Sequence, residues 1–261
     1  MQPYFDHIYL SPHLDDVALS CGGQIFLHTT AGQSVLVVTL MAGAPDADTA
    51  VSEFVELLHQ RWQLSAGAIS DAVAARRQED LDACAILGAE AQHGPFPDSI
   101  YRFDPHSGAP YYPTRDAIFG DVHPQEAVLA DGIAAWLRAL PAAGQVYAPL
   151  TLGRHVDHQL TRLAAERVYG RRLRYYEDYP YVQQDPAALD ALLGPARAGW
   201  QAQVIPLTDA ALQARGAAIA AFVSQVSSFF SDRADLQAQI TAYAAMVGGE
   251  RLWQPNAQLF M

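Results

Sequence analysis

Ser11-Pro12-His13-Leu14-Asp15-Asp16 lies between an apolar run, Phe5 to Leu10, and a helical pattern from Val17 to Thr30. The run reads as a short buried strand, and the pattern as a helix whose first turn carries the acidic side chains. A histidine and two adjacent carboxylates thus fall at a strand-to-helix junction. Open α/β sheets bind ligands beyond the carboxyl ends of their strands, so His13, Asp15 and Asp16 are expected to line that crevice. Taken alone, Asp15 or Asp16 serves equally well as the helix N-cap, accepting orphan backbone N–H groups.

Working outward, Ser34 to Met41 is a β-branched run set off by Gly32 and Gly43. It predicts a second buried strand, parallel to the first and joined to it by a right-handed crossover. Gly22-Gly23 lies inside the intervening helix rather than in the turn before it. That placement argues against a dinucleotide fingerprint and predicts close approach of the helix to the sheet. Val51 to Ala89 is helical in pattern, with Arg76-Arg77-Gln78-Glu79-Asp80 read as a solvated face. Gln92 to Tyr112 then mixes prolines and glycines with Asp98, Tyr101, Arg102, Asp104 and His106, as binding loops do.

After a predicted helix over Pro124 to Leu140 and a strand over Gln145 to Pro149, the opening arrangement recurs. Thr151-Leu152-Gly153-Arg154-His155-Val156-Asp157-His158 follows the strand and precedes another helix. Both clusters should therefore lie on the same edge of one parallel sheet. Arg154 reads as a surface residue, with a substrate contact as the alternative. Further strands are expected over Leu173 to Glu177 and Gln201 to Leu207, and helices over Ala210 to Phe230 and Ala234 to Val247. Phe229, Phe230, Tyr243, Trp253 and Phe260 are read as packing for the sheet, with a homo-oligomer contact left open.

The 261 residues, 51% hydrophobic and 17% charged, suffice for one α/β domain with a sizeable core. A formal charge of −12 argues against nucleic acid or an anionic membrane as the main partner. No segment approaches the roughly 18 apolar residues of a membrane span, and no basic leader precedes an apolar run. The two cysteines, Cys21 and Cys84, read as buried free thiols, and a cytoplasmic location is the expectation.

Two His/Asp clusters at strand ends point to a metal site. Zinc takes imidazole and carboxylate ligands, and a catalytic zinc keeps three protein ligands beside an open position. His13, Asp15, Asp16, His155, Asp157 and His158 offer more donors than that requires, and the surplus suits a general base and a polarising group. Iron(II), cobalt or manganese suit the same donors.

Pro-His-Leu-Asp-Asp and His-Val-Asp-His resemble the paired motifs of the PIG-L, or LmbE-like, family of zinc-dependent de-N-acetylases, which act on N-acetylglucosaminyl compounds. The resemblance covers roughly the first two thirds of the chain. Arg76 with Glu79 and Leu87-Gly88 is similar to the family's Arg-x-x-Glu helix ending in Leu-Gly. It implies a single domain over 1–261, Rossmann-like and three-layered, with a mostly parallel sheet, helices on both faces and 200–261 as a C-terminal extension. Position by position, it implies His13, Asp16 and His158 as metal ligands and Asp15 as general base. His155 would be a protonated electrostatic catalyst whose ring is held by Asp157, and Arg76 and Asp98 would bind the sugar. The implied substrate is a small N-acetylated amino sugar. Another amide or ester substrate, or a binding role without catalysis, are the competing readings. Many members carry proline at the positions of Leu14 and Val156, and some carry tyrosine where this chain has Gly153.

Overall fold

The computed structural model describes residues 3–46, 49, 51–62 and 69–256. Its strands are β1 (Tyr4–Ser11), β2 (Val35–Thr39), β3 (Glu90–His93), β4 (Ala142–Pro149), β5 (Leu173–Tyr176), β6 (Trp200–Ile205) and β7 (Glu250–Pro255). Helices α1 (Asp16–Thr30), α2 (Glu53–Arg61), α3 (Ile69–Leu87), α4 (Arg115–Ile118), α5 (Leu129–Leu137) and α6 (Val156–Tyr169) connect the parallel strands. Later in the chain come α7 (Tyr181–Gln184), α8 (Pro186–Leu193), α9 (Asp209–Ala221), α10 (Val223–Val226) and α11 (Arg233–Val247).

All seven strands form one sheet in the order β3-β2-β1-β4-β5-β7-β6. The first five are mutually parallel, as the strand-helix alternation predicts. β7 departs from that pattern, pairing antiparallel with both β5 and β6. β1 and β2 are interior strands, with the last four residues of β1 and all of β2 buried. Near-continuous apolar sequence is what a parallel strand covered on both faces requires.

The order also locates the site. From β1 the chain steps outward through β2 to β3, then returns across the sheet to β4 and continues to β5. Right-handed crossovers in opposite directions place their helices on opposite faces. Accordingly α1 and α3 pack with α9, whereas α5 packs with α6. The reversal lies between β1 and β4, and the crevice at their carboxyl ends is where such sheets bind ligands.

Several predicted elements are resolved differently. The helical stretch from Val51 to Ala89 is two helices, α2 and α3, with residues 63–68 between them outside the described set. The long C-terminal helix breaks at Phe222 (φ −79°, ψ 67°), separating α9 from α10. Pro124 to Leu140 is a 3-10 turn over Pro124–Glu126 followed by α5. Gly22 and Gly23 serve close packing, Gly22 against Arg215 of α9 and Gly23 against Leu207 and the sheet strand β7. A Cβ on Gly22 would lie 3.0 Å from Arg215 Cγ, and one on Gly23 would lie 2.9 Å from Glu250 Oε1. Glu250 uses that space to accept the Gly23 and Gln24 N–H groups at 2.9 and 2.8 Å. Phe230, Tyr243 and Trp253 are buried in the core, Phe229 is partly buried, and Phe260 lies outside the described residues.

Candidate active site

The N-cap reading of the opening motif does not hold. Asp15 occupies the cap position of α1, but its side chain makes no capping hydrogen bond. Asp16 instead turns back, its Oδ2 accepting the His13 backbone N–H at 2.8 Å. Leu14 and Val156, where relatives of the motif carry proline, are buried, at 4% and 0% exposure. Burial of an apolar side chain thus anchors each turn without a proline ring to fix φ.

Three groups meet at the carboxyl ends of β1 and β4. His13 Nδ1 lies 3.2 Å and His158 Nε2 3.1 Å from the same atom, Asp16 Oδ2. Each imidazole is held from behind by a carboxylate. His13 Nε2 lies 3.0 Å from Asp157 Oδ2, and His158 Nδ1 lies 2.7 Å from Asp178 Oδ1. These contacts assign the proton to the rear nitrogen and leave a lone pair at the front, as metal-ligating histidines are arranged. His158 Nε2 is buried and, despite its nearness to Asp16, has no hydrogen-bond partner among the described residues. An orphaned buried lone pair facing a carboxylate fits a divalent cation. The imidazoles of His13, His155 and His158 also lie close enough to share an ion, as do His13, Asp98 and Asp157.

Asp178 was not anticipated as a site residue. It follows β5, the neighbour of β4 in the sheet, so its place at a strand end was the available signal. Replacing it by asparagine should weaken metal affinity about 10- to 100-fold, the usual cost of losing the partner behind a ligand. A competition titration with a chromophoric chelator reads this directly, and unchanged affinity would remove Asp178 from the site.

The expected pairing of Asp157 with His155 is corrected. His155 is the N-cap of α6, its Nδ1 accepting the Asp157 backbone N–H at 3.2 Å. A nitrogen that accepts cannot also carry a proton, so this ring is a neutral imidazole with its hydrogen on Nε2. Burial, and then the neighbouring His13, push its pKa well below the usual histidine range. The Asp157 carboxylate serves His13 instead, and it also accepts from Ser99 N at 3.0 Å.

Behind Asp157 stands a buried counter-ion. Arg102 Nη1 donates to Asp157 Oδ1 at 2.6 Å, and its other nitrogens grip Glu126 at 2.5 and 3.0 Å. Burial alone would raise the Asp157 pKa, but Arg102 and His13 hold it well below the carboxylate range. Arg102→Met should cost about 3–5 kcal/mol of stability, because it leaves two buried carboxylates uncompensated. A shift of the urea midpoint at unchanged slope checks this.

Asp15, His13, Asp16 and His155 share a cavity of about 280 Å³ with Arg76 and Asp98. Burial, and then the Asp16 charge, raise the Asp15 pKa to about 6. The Arg76 guanidinium lies 4.7 Å from the Trp62 ring centroid and 3.8 Å from Asp98 Oδ2, and its buried Nε lacks a partner among the described residues. Asp98 caps the 3-10 turn over Ser99–Tyr101 through Oδ1, with Oδ2 3.9 Å from His13 Nε2. Phe54, Leu58, Trp62, Ile118, Phe119 and Phe229 supply apolar lining. Arg154 is exposed and pairs with Asp121, outside this cavity. At Gly153 (φ +82°) a Cβ would lie 2.7 Å from Tyr181 Cγ, so glycine makes room for a tyrosine that also lines the cavity.

A family model described as GlcNAc-PI de-N-acetylase (PIG-L) matches residues 8–169, which include both motifs. A 2'-N-acetylparomamine deacetylase of Niallia circulans is 30% identical over 188 residues, covering 68% of each protein. Among solved structures, a deacetylase–teicoplanin complex from the teicoplanin biosynthesis pathway superposes with TM-score 0.75 at 27% identity, covering 97% of both chains. The zinc inhibited form of a teicoplanin deacetylase gives 0.72 at 27% identity, covering 96% of this chain and 97% of that one.

Proposed function

Because the chain belongs to the GlcNAc-PI de-N-acetylase (PIG-L) family, we propose that it is a zinc-dependent hydrolase that removes the N-acetyl group from a small molecule containing N-acetylglucosamine. The convergence of two carboxylate-backed imidazoles on Asp16 carries this reading. His13, Asp16 and His158 would hold the ion. One alternative set, His13, Asp98 and Asp157, draws on His13 Nε2, which Asp157 already engages, whereas His158 Nε2, 3.1 Å from Asp16, has no hydrogen-bond partner among the described residues. A divalent cation held there would polarise the amide carbonyl and lower the pKa of the attacking water.

Asp15 borders the ligand set without belonging to it. Its carboxylate takes the proton of the attacking water and returns it to the departing amine. His155 donates its Nε2 hydrogen to the carbonyl oxygen as negative charge develops there, acting as a neutral donor rather than an imidazolium. The phenol of Tyr181 supplies the second donor that some relatives of the motif carry at the position of Gly153. Arg76 and Asp98 bind sugar hydroxyls, since a guanidinium donates and a carboxylate accepts. Asp157 acts through His13, fixing its ring and tautomer.

Among the described residues no helix is long and apolar enough to cross a membrane, and Cys21 and Cys84 are buried free thiols.

Acetate release from free N-acetylglucosamine, N-acetylparomamine and inositol and aryl N-acetylglucosaminides tests the reading. Zinc-loaded protein should release acetate from at least one, and a chelator should stop it. No release from any, with bound metal verified, would overturn it.

A further inference from the structure

Arg76 and Glu79 lie three residues apart on α3 and so project from the same side of the helix. Arg76 enters the cavity, whereas Glu79 does not line it. Its two oxygens instead clamp one residue of the C-terminal region, Ser224. Glu79 Oε1 accepts the Ser224 backbone N–H at 2.8 Å, and Oε2 accepts the Ser224 hydroxyl at 2.6 Å. The break at Phe222 sets that N–H at the start of α10, where no helical carbonyl satisfies it. The serine oxygen accepts in turn from Gln225 Nε2 at 3.0 Å. Downstream of the clamp, Gln225, Ser228 and Phe229 line the same cavity as Asp15 and His155. A second tie, from Arg61 Nη2 to the Ser228 carbonyl at 3.4 Å, joins this segment to α2.

We propose that Glu79 is a positioning residue that sets substrate specificity, holding the Ser224–Phe229 wall where it receives the aglycone of the amino sugar. The inference rests on the deacetylase reading for the identity of the sugar, but the clamp itself does not. Phe229 stands on this wall, and Leu58 and Trp62 contribute apolar surface to the same cavity. The aglycone class that fits is one with an apolar face of aromatic size, bound by contact rather than by charge. Charge-assisted bonds through both carboxylate oxygens are the geometry that holds a short segment in one place.

The test compares wild type, Glu79→Ala and Ser224→Ala, all zinc-loaded, on free N-acetylglucosamine and on 4-nitrophenyl N-acetyl-β-glucosaminide. Glu79→Ala should raise KM for the aryl glycoside about tenfold while kcat for both substrates, and KM for the free sugar, change less than twofold. Ser224→Ala, which keeps the backbone bond, should give a smaller rise of the same kind. Glu79→Gln, still able to accept from the Ser224 amide, should restore most of the aryl preference. Equal KM rises on both substrates, or none, would overturn the specificity role. Hydrogen exchange over residues 223–229 needs no turnover: faster exchange in Glu79→Ala supports the clamp, and unchanged exchange overturns it even if wild type proves inactive on both sugars.

Discussion

Asp15→Asn should lower kcat on the best N-acetylated substrate by about 10²- to 10⁴-fold, the range contributed by a positioned general base. KM should change little, since the amide keeps the shape of the carboxylate and loses only its capacity to take a proton. Metal content should stay at the wild-type level, because Asp15 lies outside the three converging groups. Turnover and metal analysis on the same preparation separate the two effects. Retention of kcat within a few-fold would move the base role to another carboxylate in the cavity, with Asp98 the first candidate on position.

His158→Ala should abolish both metal binding and acetate release. Loss of the cation removes several kcal/mol of transition-state charge stabilisation, which corresponds to roughly a thousandfold or more in rate. Asp98→Asn serves as the control, expected to retain the metal and to raise KM through the sugar. The opposite result, metal kept in His158→Ala but lost in Asp98→Asn, would place the ion among His13, Asp98 and Asp157 instead. The two variants therefore decide between a grouping that joins His13 to Asp98 and one that joins it to His158.

The core of this architecture is legible in the chain because its central strands are apolar and β-branched. Ile8, Leu10, Val37 and Val38 are buried as the pattern demands. The peripheral strands carry no such signal. β3 is Glu-Ala-Gln-His, a polar edge strand that only its pairing with β2 identifies, and β7 follows α11 with charges at its start. Both motifs fall at the expected sheet edge, since a strand end followed by a helix start is a local property. What surrounds them is not local. Asp157 lies two residues from His155, which suggests a pair, yet the first turn of α6 directs the carboxylate toward Arg102 and His13. Arg102 looks like one loop residue among aromatics until Glu126, on another element, closes around it. Glu79 reads as part of a solvated helical face, and its partner is 145 residues away.

The carboxylate of Glu250 bears on how such a molecule is made. It reaches back 227 residues to the middle of α1, the helix that begins at Asp16, and with Arg215 it closes a charged contact against the Leu19 carbonyl. A nascent chain emerges from its N-terminus, so the first motif exists long before the residue that braces its helix has been synthesised. Contacts so distant in sequence carry a loop-closure cost before they return any stabilisation, and they slow folding. With His13 and Asp16 as the proposed ligands, their helix is braced only once β7, the last strand among the described residues, has been made, so competence to take up metal should appear late in biogenesis, together with the completed sheet.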